Sequence, residues 1–178
     1  AVSVFIHEET PAADIISESP LKITLAIAIS KGERMDWVMQ KATELGVSRI
    51  QPLITQRVDV KLKPERLLKK MEHWRGIIIG ACEQSGRCTL PELLPTKTIA
   101  AWLNDDTSHF KLVLRAQGDR LASIADNITQ KPESVSILIG PEGGLDDNEL
   151  TLAQNAHCLA AGFGPRILRT ETAPIVAL

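Results

Sequence analysis

The sequence predicts an α/β fold with a mostly parallel sheet and helices on both of its faces. Segments with strand periodicity alternate with segments of helical spacing along most of the chain. Residues 135–139 are apolar at four of five positions, which is typical of a strand covered on both faces. Two Gly-Pro turns in the last third each follow a predicted strand, so they indicate loops at strand ends.

Periodicity defines the first predicted elements. Residues 2–6 form a short strand-like run, and residues 21–29 are apolar at every second position, so both predict strands. Apolar residues at helical spacing predict a helix over residues 35–45, and Gly46 is a suitable stop just beyond it. Residues 50–54 predict the next strand.

The middle of the chain continues this alternation. Pro64 suits the first turn of a long helix, because its fixed φ is helical and its missing N–H is not needed there. The apolar stripe of this helix continues to a stop at Gly86. Residues 111–114 predict a buried strand, and residues 120–129 predict a helix.

The last predicted elements surround the two Gly-Pro turns. Asp146 and Glu149 have the spacing of a capping box, which predicts that a helix begins there. Residues 158–160 predict a short strand, because they follow that helix and precede the second turn. Residues 172–178 predict the beginning of a final helix.

Composition and charge narrow the class of protein. The chain has 178 residues, of which 44% are hydrophobic and 24% charged, as in a folded globular domain. No apolar run reaches the roughly 18 residues of a membrane span, so we expect no membrane partner. Cys82, Cys88 and Cys158 are odd in number and form no CxxC pair, which favours a cytoplasmic protein with reduced thiols and no metal site.

The net charge is −2, which argues mildly against a nucleic-acid partner. Lysines and arginines nevertheless cluster over residues 61–70. This cluster is either a solvated helix face or a patch that faces RNA, and the sequence alone leaves both open.

Two glycine-bearing loops are the most informative feature of the chain. They span residues 138–144 and 164–172, and each follows a predicted strand. Ligands of open α/β sheets bind at the carboxyl ends of strands, so the two loops predict one shared site. Neither loop fits a glycine-rich phosphate motif, and Glu142 would repel a phosphate. A nucleoside-like ligand with hydroxyls and a positive centre fits better, and S-adenosylmethionine is one such ligand.

Charged residues accompany the second loop. Arg166, Arg169 and Glu171 lie within six positions of one another. They form either a local ion pair or part of a substrate site. In a substrate site the arginines would meet a phosphate or a base edge, and Glu171 would handle a proton or contact the cofactor.

Four blocks of this sequence carry a family resemblance: residues 33–47, 83–87, 140–144 and 164–173. In this order they resemble the RsmE family of bacterial 16S ribosomal RNA uridine-N3 methyltransferases, of the SPOUT class. The resemblance covers residues 21–178 and implies a methyltransferase domain with a C-terminal deep trefoil knot. It also implies that residues 1–20 are the remnant of an N-terminal PUA-like RNA-binding domain and a linker.

The resemblance further implies an activity and its partners. The reaction is S-adenosylmethionine-dependent methylation of N3 of a specific uridine in the decoding region of 16S ribosomal RNA. The expected partners are 16S ribosomal RNA or the small ribosomal subunit, and a second copy of the chain in a homodimer. Two alternatives stay open: a SPOUT methyltransferase that acts on another RNA, such as a transfer RNA, and a non-catalytic RNA-binding protein.

Site residues follow from the same resemblance. Glu171 is the predicted base, and Arg34 and Arg169 are predicted to stabilise the uridine anion. The predicted RNA contacts are Arg34, Arg87 and Arg166. The predicted cofactor-binding residues are Leu114, Ile139, Gly140, Pro141, Glu142, Gly143, Gly164, Ile167, Leu168, Arg169, Thr170, Thr172 and Ala173.

Overall fold

The computed structural model describes residues 18–57, 63–126 and 128–178. The strands are β1 (Lys22–Ala28), β2 (Arg49–Ile54), β3 (Glu92–Leu93), β4 (Lys97–Thr98), β5 (Phe110–Arg120), β6 (Ser134–Ile139) and β7 (Leu159–Gly162). The helices are α1 (Arg34–Glu44), α2 (Pro64–Ser85), α3 (Ile99–Asp105), α4 (Leu121–Asp126), α5 (Asp147–Asn155) and α6 (Thr172–Ala177).

The strands form one sheet in which every described pair is parallel. The order across the sheet is β3-β2-β1-β6-β5-β7, and β4 also pairs with β2. In the central register, Leu25 of β1 lies beside Ile50 of β2 and Ile137 of β6. The predicted α/β class with a mostly parallel sheet is therefore confirmed.

Helices cover both faces of the sheet. On one face, Met39 of α1 and Trp74 of α2 are fully buried and belong to the same core as Ile27. On the other face, Trp102 of α3 and Ala153 of α5 belong to a second core that contains strand residues of β1, β5 and β6. The prediction of helices on both faces is confirmed, and it explains the nearly continuous apolar run of β6.

Three elements were not predicted, and one is shorter than predicted. The strands β3 and β4 have two residues each, too few for a periodic signal. The helix α3 begins where the Thr98 hydroxyl accepts a hydrogen bond from the Ala101 N–H at 3.3 Å. The helix α4 ends at Asp126, three residues before the predicted end.

The predictions for the first 20 residues and for the knot stay predictions. The predicted strand over residues 2–6 lies outside the described residues, as does most of the predicted remnant over residues 1–20. The C-terminal trefoil knot stays a prediction.

The predicted capping box of α5 is confirmed, and it has a wider role. The Asp146 carboxylate accepts from the Glu149 N–H at 2.7 Å, and the Glu149 carboxylate accepts from the Asp146 N–H at 2.9 Å. Glu149 is buried, and its second oxygen accepts from the Gln56 N–H at 2.9 Å. One carboxylate thus ties the segment after β2 to the first turn of α5, directly beyond the first glycine loop.

The three cysteines are free, and two of them are buried. Burial raises the pKa of the Cys158 thiol to about 11, although the charge of Lys111 opposes the shift. Burial also raises the pKa of Cys82. Both thiols are therefore protonated near neutral pH, as expected for cysteines that act as small apolar core residues.

No helix in the described part of the chain is both long and apolar enough to cross a membrane.

Candidate functional site

A cleft of about 680 Å³ lies at the carboxyl ends of β6 and β7 and beside residues 114–116 within β5. This volume falls within the ordinary range for small-molecule sites. Both glycine loops and the first residue of α1 line the cleft, so segments far apart in sequence share one concave surface. The expectation that the two loops meet at one site agrees with this geometry.

Most of the predicted site residues line this cleft. From the predicted cofactor set these are Leu114, Ile139, Gly140, Pro141, Glu142, Ile167, Leu168, Arg169, Thr170 and Ala173. Arg34, Arg166 and Glu171, predicted for RNA contact or catalysis, line it too. Gly143, Gly164 and Thr172 do not line the cleft, although each lies next to or near a residue that does.

The strands β5 and β7, which both contribute residues to the cleft, cross closely at Gly118 and Gly162. Ala161 pairs with both Leu114 and Asp119, so residues 115–118 lie outside the ladder. A Cβ on Gly118 would lie 2.7 Å from the Ala161 carbonyl oxygen, and closer still to its carbonyl carbon. A Cβ on Gly162 would lie 2.6 Å from the Gly118 carbonyl oxygen. Only glycine fits at both positions, because the obstacle on each side is backbone.

Two hydrogen bonds hold the first glycine loop in its conformation. The Gly144 N–H donates to the Pro141 carbonyl at 2.8 Å, which closes a tight turn. Arg57 donates to the Gly143 carbonyl at 2.9 Å. Gly143 therefore supports the loop through its backbone, and Pro141 and Glu142 are presented to the cleft.

The second loop leads into α6. The N–H groups of Thr172 and Ala173 both donate to the Arg169 carbonyl at 2.9 Å, which starts the helix. Thr170 is buried, whereas the Ile167 side chain is 88% exposed at the rim of the cleft. Thr172 thus positions the loop, and Ile167 offers apolar surface to whatever the cleft binds.

A cluster of alternating charges lies where the two loops approach α1. Arg34 forms a short ion pair with Glu142 of the first loop. Its Nε also lies 3.8 Å from a Glu171 oxygen of the second loop. The other Glu171 oxygen lies 3.9 Å from Arg169. The carboxylate of Glu171 is thus flanked by two guanidiniums, and Arg34 links α1 to both loops.

The ion pairs that the sequence left open are present, and they lie at the cleft; a role in a substrate site stays a prediction. Glu171 is mostly buried, with 21% of its side chain exposed, whereas the Arg169 side chain is 82% exposed. A carboxylate held between guanidiniums beside a ligand-sized cleft has the geometry for proton handling and anion stabilisation.

Arg87, which was predicted to contact RNA, makes its contacts within the chain. Its side chain is 6% exposed and lies outside the cleft. It donates to the Thr43 carbonyl at 2.7 Å and the Val47 carbonyl at 3.1 Å, and it pairs with Glu18 at 2.7 Å. This guanidinium joins the end of α2 to the end of α1, which gives Arg87 a structural role; its contact with RNA stays a prediction.

Several residues of the cleft were missed by sequence reasoning. They are Arg115, Ala116, Gly144, Leu145, Leu150, Ala161 and Phe163. Arg115 and Ala116 directly follow the predicted strand that ends at Leu114, so the rule that ligands bind beyond the carboxyl ends of strands could have found them. The described residues contain no group of three or more histidine, cysteine or acidic side chains placed to hold a metal ion.

Comparison with known proteins supplies an independent observation. Residues 17–178 match the family model of the RNA methyltransferase domain. The ribosomal RNA small subunit methyltransferase E of Bacillus subtilis is 35% identical over 168 residues, which cover 90% of this chain and 65% of that protein.

Two solved structures are similar over the same span. A Legionella pneumophila protein in complex with the bound cofactor SAM has a TM-score of 0.84 and 50% identity. A ribosomal RNA small subunit methyltransferase E from Neisseria gonorrhoeae, bound to S-adenosyl methionine, has a TM-score of 0.82 and 41% identity. Each alignment covers 90% of this chain and 65% of the other, so the chain spans about two thirds of the length of these relatives.

Proposed function

This chain belongs to the RsmE family of RNA methyltransferases, and we propose that it transfers a methyl group from S-adenosylmethionine to N3 of a uridine in 16S ribosomal RNA. The observation that carries the proposal is the single cleft shared by both glycine loops and residues 114–116 of β5. A site assembled from these three segments suits a nucleoside-like ligand, and the two relatives above were solved with such a ligand bound.

The lining of the cleft fits S-adenosylmethionine. Leu114, Ile139 and Leu168 provide apolar walls for a flat base. Backbone groups of the glycine loops offer donors and acceptors for polar edges, and Glu142 offers a carboxylate for hydroxyls or a positive centre. We assign cofactor binding to these groups. Gly143, Gly164 and Thr172 do not line the cleft, and we assign to them the role of holding the two loops in shape.

The chemistry divides between the cofactor and the protein. When bound, S-adenosylmethionine supplies an electrophilic methyl group on a cationic sulfur. Glu171 accepts the proton that leaves uridine N3, and Arg34 and Arg169 stabilise the negative charge left on the base. N3 lies on the Watson–Crick edge, so the uridine must be unpaired or flipped out to reach the cleft.

The expected assembly and location belong to the same proposal. Trp37 on α1 and Val176 on α6 each leave about half of their surface exposed, and α1 packs against α6. Apolar side chains exposed on adjoining helices are suited to a second copy of the chain. We therefore propose a homodimer through this region. The proposed substrate implies a cytoplasmic location.

Substituting Ala116 by tryptophan tests the cofactor site without disturbing the core. Ala116 is exposed and lines the cleft, so the indole should fill ligand space. We expect the affinity for S-adenosylmethionine to fall at least about tenfold, equivalent to about 1.4 kcal/mol. Isothermal titration calorimetry measures this change, and thermal unfolding checks that the fold is intact.

Ala100→Trp is the matched control, because Ala100 is exposed on α3 and does not line the cleft. It should leave the affinity unchanged. No binding of S-adenosylmethionine by the unaltered chain would instead favour the alternative of a non-catalytic RNA-binding protein. If the unaltered chain and the Ala116→Trp variant bound S-adenosylmethionine with equal affinity, the cofactor would not bind in this cleft.

A further inference from the structure

The cleft carries an excess of positive charge. Four arginines line it, and the acidic residues that line it are Glu142 and Glu171. The cleft is therefore positively charged, although the whole chain has a net charge of −2. Positive charge concentrated at one concave surface indicates an anionic ligand.

The arginines of the cleft fall into two groups. Arg34 and Arg169 lie against the carboxylate of Glu171, as described above. Arg115 and Arg166 are exposed and take part in none of the ion pairs or side-chain hydrogen bonds among the described residues. The second pair is therefore available to an external anion.

The backbone holds Arg115 at the cleft. It is the first residue of the segment 115–118 that lies outside the ladder between the two pairings with Ala161. Gly118, at the other end of that segment, lies so close to the Ala161 backbone that a Cβ there would clash with it. The pairings of Leu114 and Asp119 with Ala161 anchor the segment at both ends, and Arg115 lines the cleft from it.

Arg166 approaches from the neighbouring strand. It lies in the loop that follows β7, which pairs directly with β5. Adjacent strands lie about 4.8 Å apart, so Arg115 within β5 and Arg166 beyond β7 approach the cleft from neighbouring segments. Both side chains line that cleft.

From this arrangement we propose that Arg115 and Arg166 form a phosphodiester-binding subsite that holds the RNA backbone beside the nucleotide entering the cleft. A guanidinium presents paired N–H donors that match two phosphate oxygens, and it is less strongly hydrated than an ammonium group. The inference rests on the proposed function for its substrate class. It adds Arg115, which the resemblance did not implicate.

The subsite gives the two pairs of arginines in the cleft different roles. Contacts to phosphate fix the position of a nucleic acid without reading its sequence. The paired arginines beside Glu171 act on the reacting base, and the unpaired arginines act on the backbone that carries it. An RNA held at its phosphate loses less freedom when its base is presented for reaction.

The salt dependence of RNA binding tests the subsite. Fluorescence anisotropy with a labelled single-stranded, uridine-rich RNA gives the dissociation constant of the 178-residue chain at several salt concentrations. Each phosphate contact contributes about 0.7 to the slope of log K against log salt for single strands. We expect Arg115→Ala to reduce that slope by about 0.7, and Arg115→Lys to preserve it while weakening binding.

Arg49→Ala is the matched control, because Arg49 is exposed at the amino end of β2 and pairs with Glu92. It removes the same charge at the opposite end of the sheet and should leave the slope unchanged. An unchanged slope in Arg115→Ala, or RNA binding too weak to measure in the unaltered chain, overturns the proposal. So does a loss confined to S-adenosylmethionine affinity, which would assign Arg115 to the cofactor.

The subsite and the proposed reaction can fail separately. A reduced slope in Arg115→Ala supports the subsite even where the unaltered chain transfers no methyl group, a result that would refute the reaction alone. Methyl transfer with an unchanged slope refutes the subsite alone.

Discussion

Gly118→Ala is expected to lower the free energy of unfolding by about 3 kcal/mol and to abolish binding of S-adenosylmethionine. The new methyl group would lie within 2.8 Å of the Ala161 nitrogen and 2.7 Å of its carbonyl oxygen. Backbone atoms in a paired strand cannot move aside as the end of a flexible side chain can. Relief requires β5 and β7 to separate, and both strands contribute residues to the lining of the cleft.

Gly76→Ala provides the control for this substitution. Gly76 lies within α2, and a Cβ there would meet nothing within 4 Å. Alanine should stabilise the helix by about 0.5–1 kcal/mol, so the same chemical change has the opposite sign. Urea denaturation gives both values, and calorimetry gives the cofactor affinity. A Gly118→Ala chain with unaltered stability and affinity would show that the crossing is not as tight as described.

Glu171→Gln is expected to slow methyl transfer by at least about 100-fold, within the range that general acid–base catalysis contributes. Glutamine has nearly the same shape, but it cannot accept the N3 proton and carries no charge toward Arg34 and Arg169. The affinity for S-adenosylmethionine should change little. Single-turnover transfer of a labelled methyl group measures the step.

Glu142→Gln separates this role from a general loss of charge in the cleft. Glu142 also pairs with Arg34 and lines the cleft, but its side chain is more exposed, at 44% against 21% for Glu171. We expect it to slow transfer by less than about tenfold, as for the loss of an exposed ion pair. Full transfer by Glu171→Gln with normal cofactor binding would remove Glu171 from the role of base.

Local signals in the sequence accounted for much of the fold. The stop predicted at Gly86 is the left-handed C-cap of α2, with φ of 74°. Asp146 and Glu149 form the capping box that their spacing indicated. These features depend on residues a few positions apart, so periodicity and capping patterns reveal them.

Features that depend on distant residues were not predictable from pattern alone. Arg34 and Glu142 are 108 positions apart, and only the fold brings them together. The two pairings of Ala161 with β5 leave no periodic trace in residues 115–118. Arg87 is a further example, because its place in a family motif suggested RNA contact, and only the fold shows that it also binds the carbonyls of Thr43 and Val47 and the carboxylate of Glu18.

The most direct test of the proposed function is methyl transfer from labelled S-adenosylmethionine to small ribosomal subunits that lack this modification, with the product mapped by mass spectrometry. We expect one methyl group per subunit, on N3 of a single uridine of 16S ribosomal RNA, and none on transfer RNA. Label on transfer RNA alone, or no transfer by a chain that binds the cofactor normally, would contradict the proposed function.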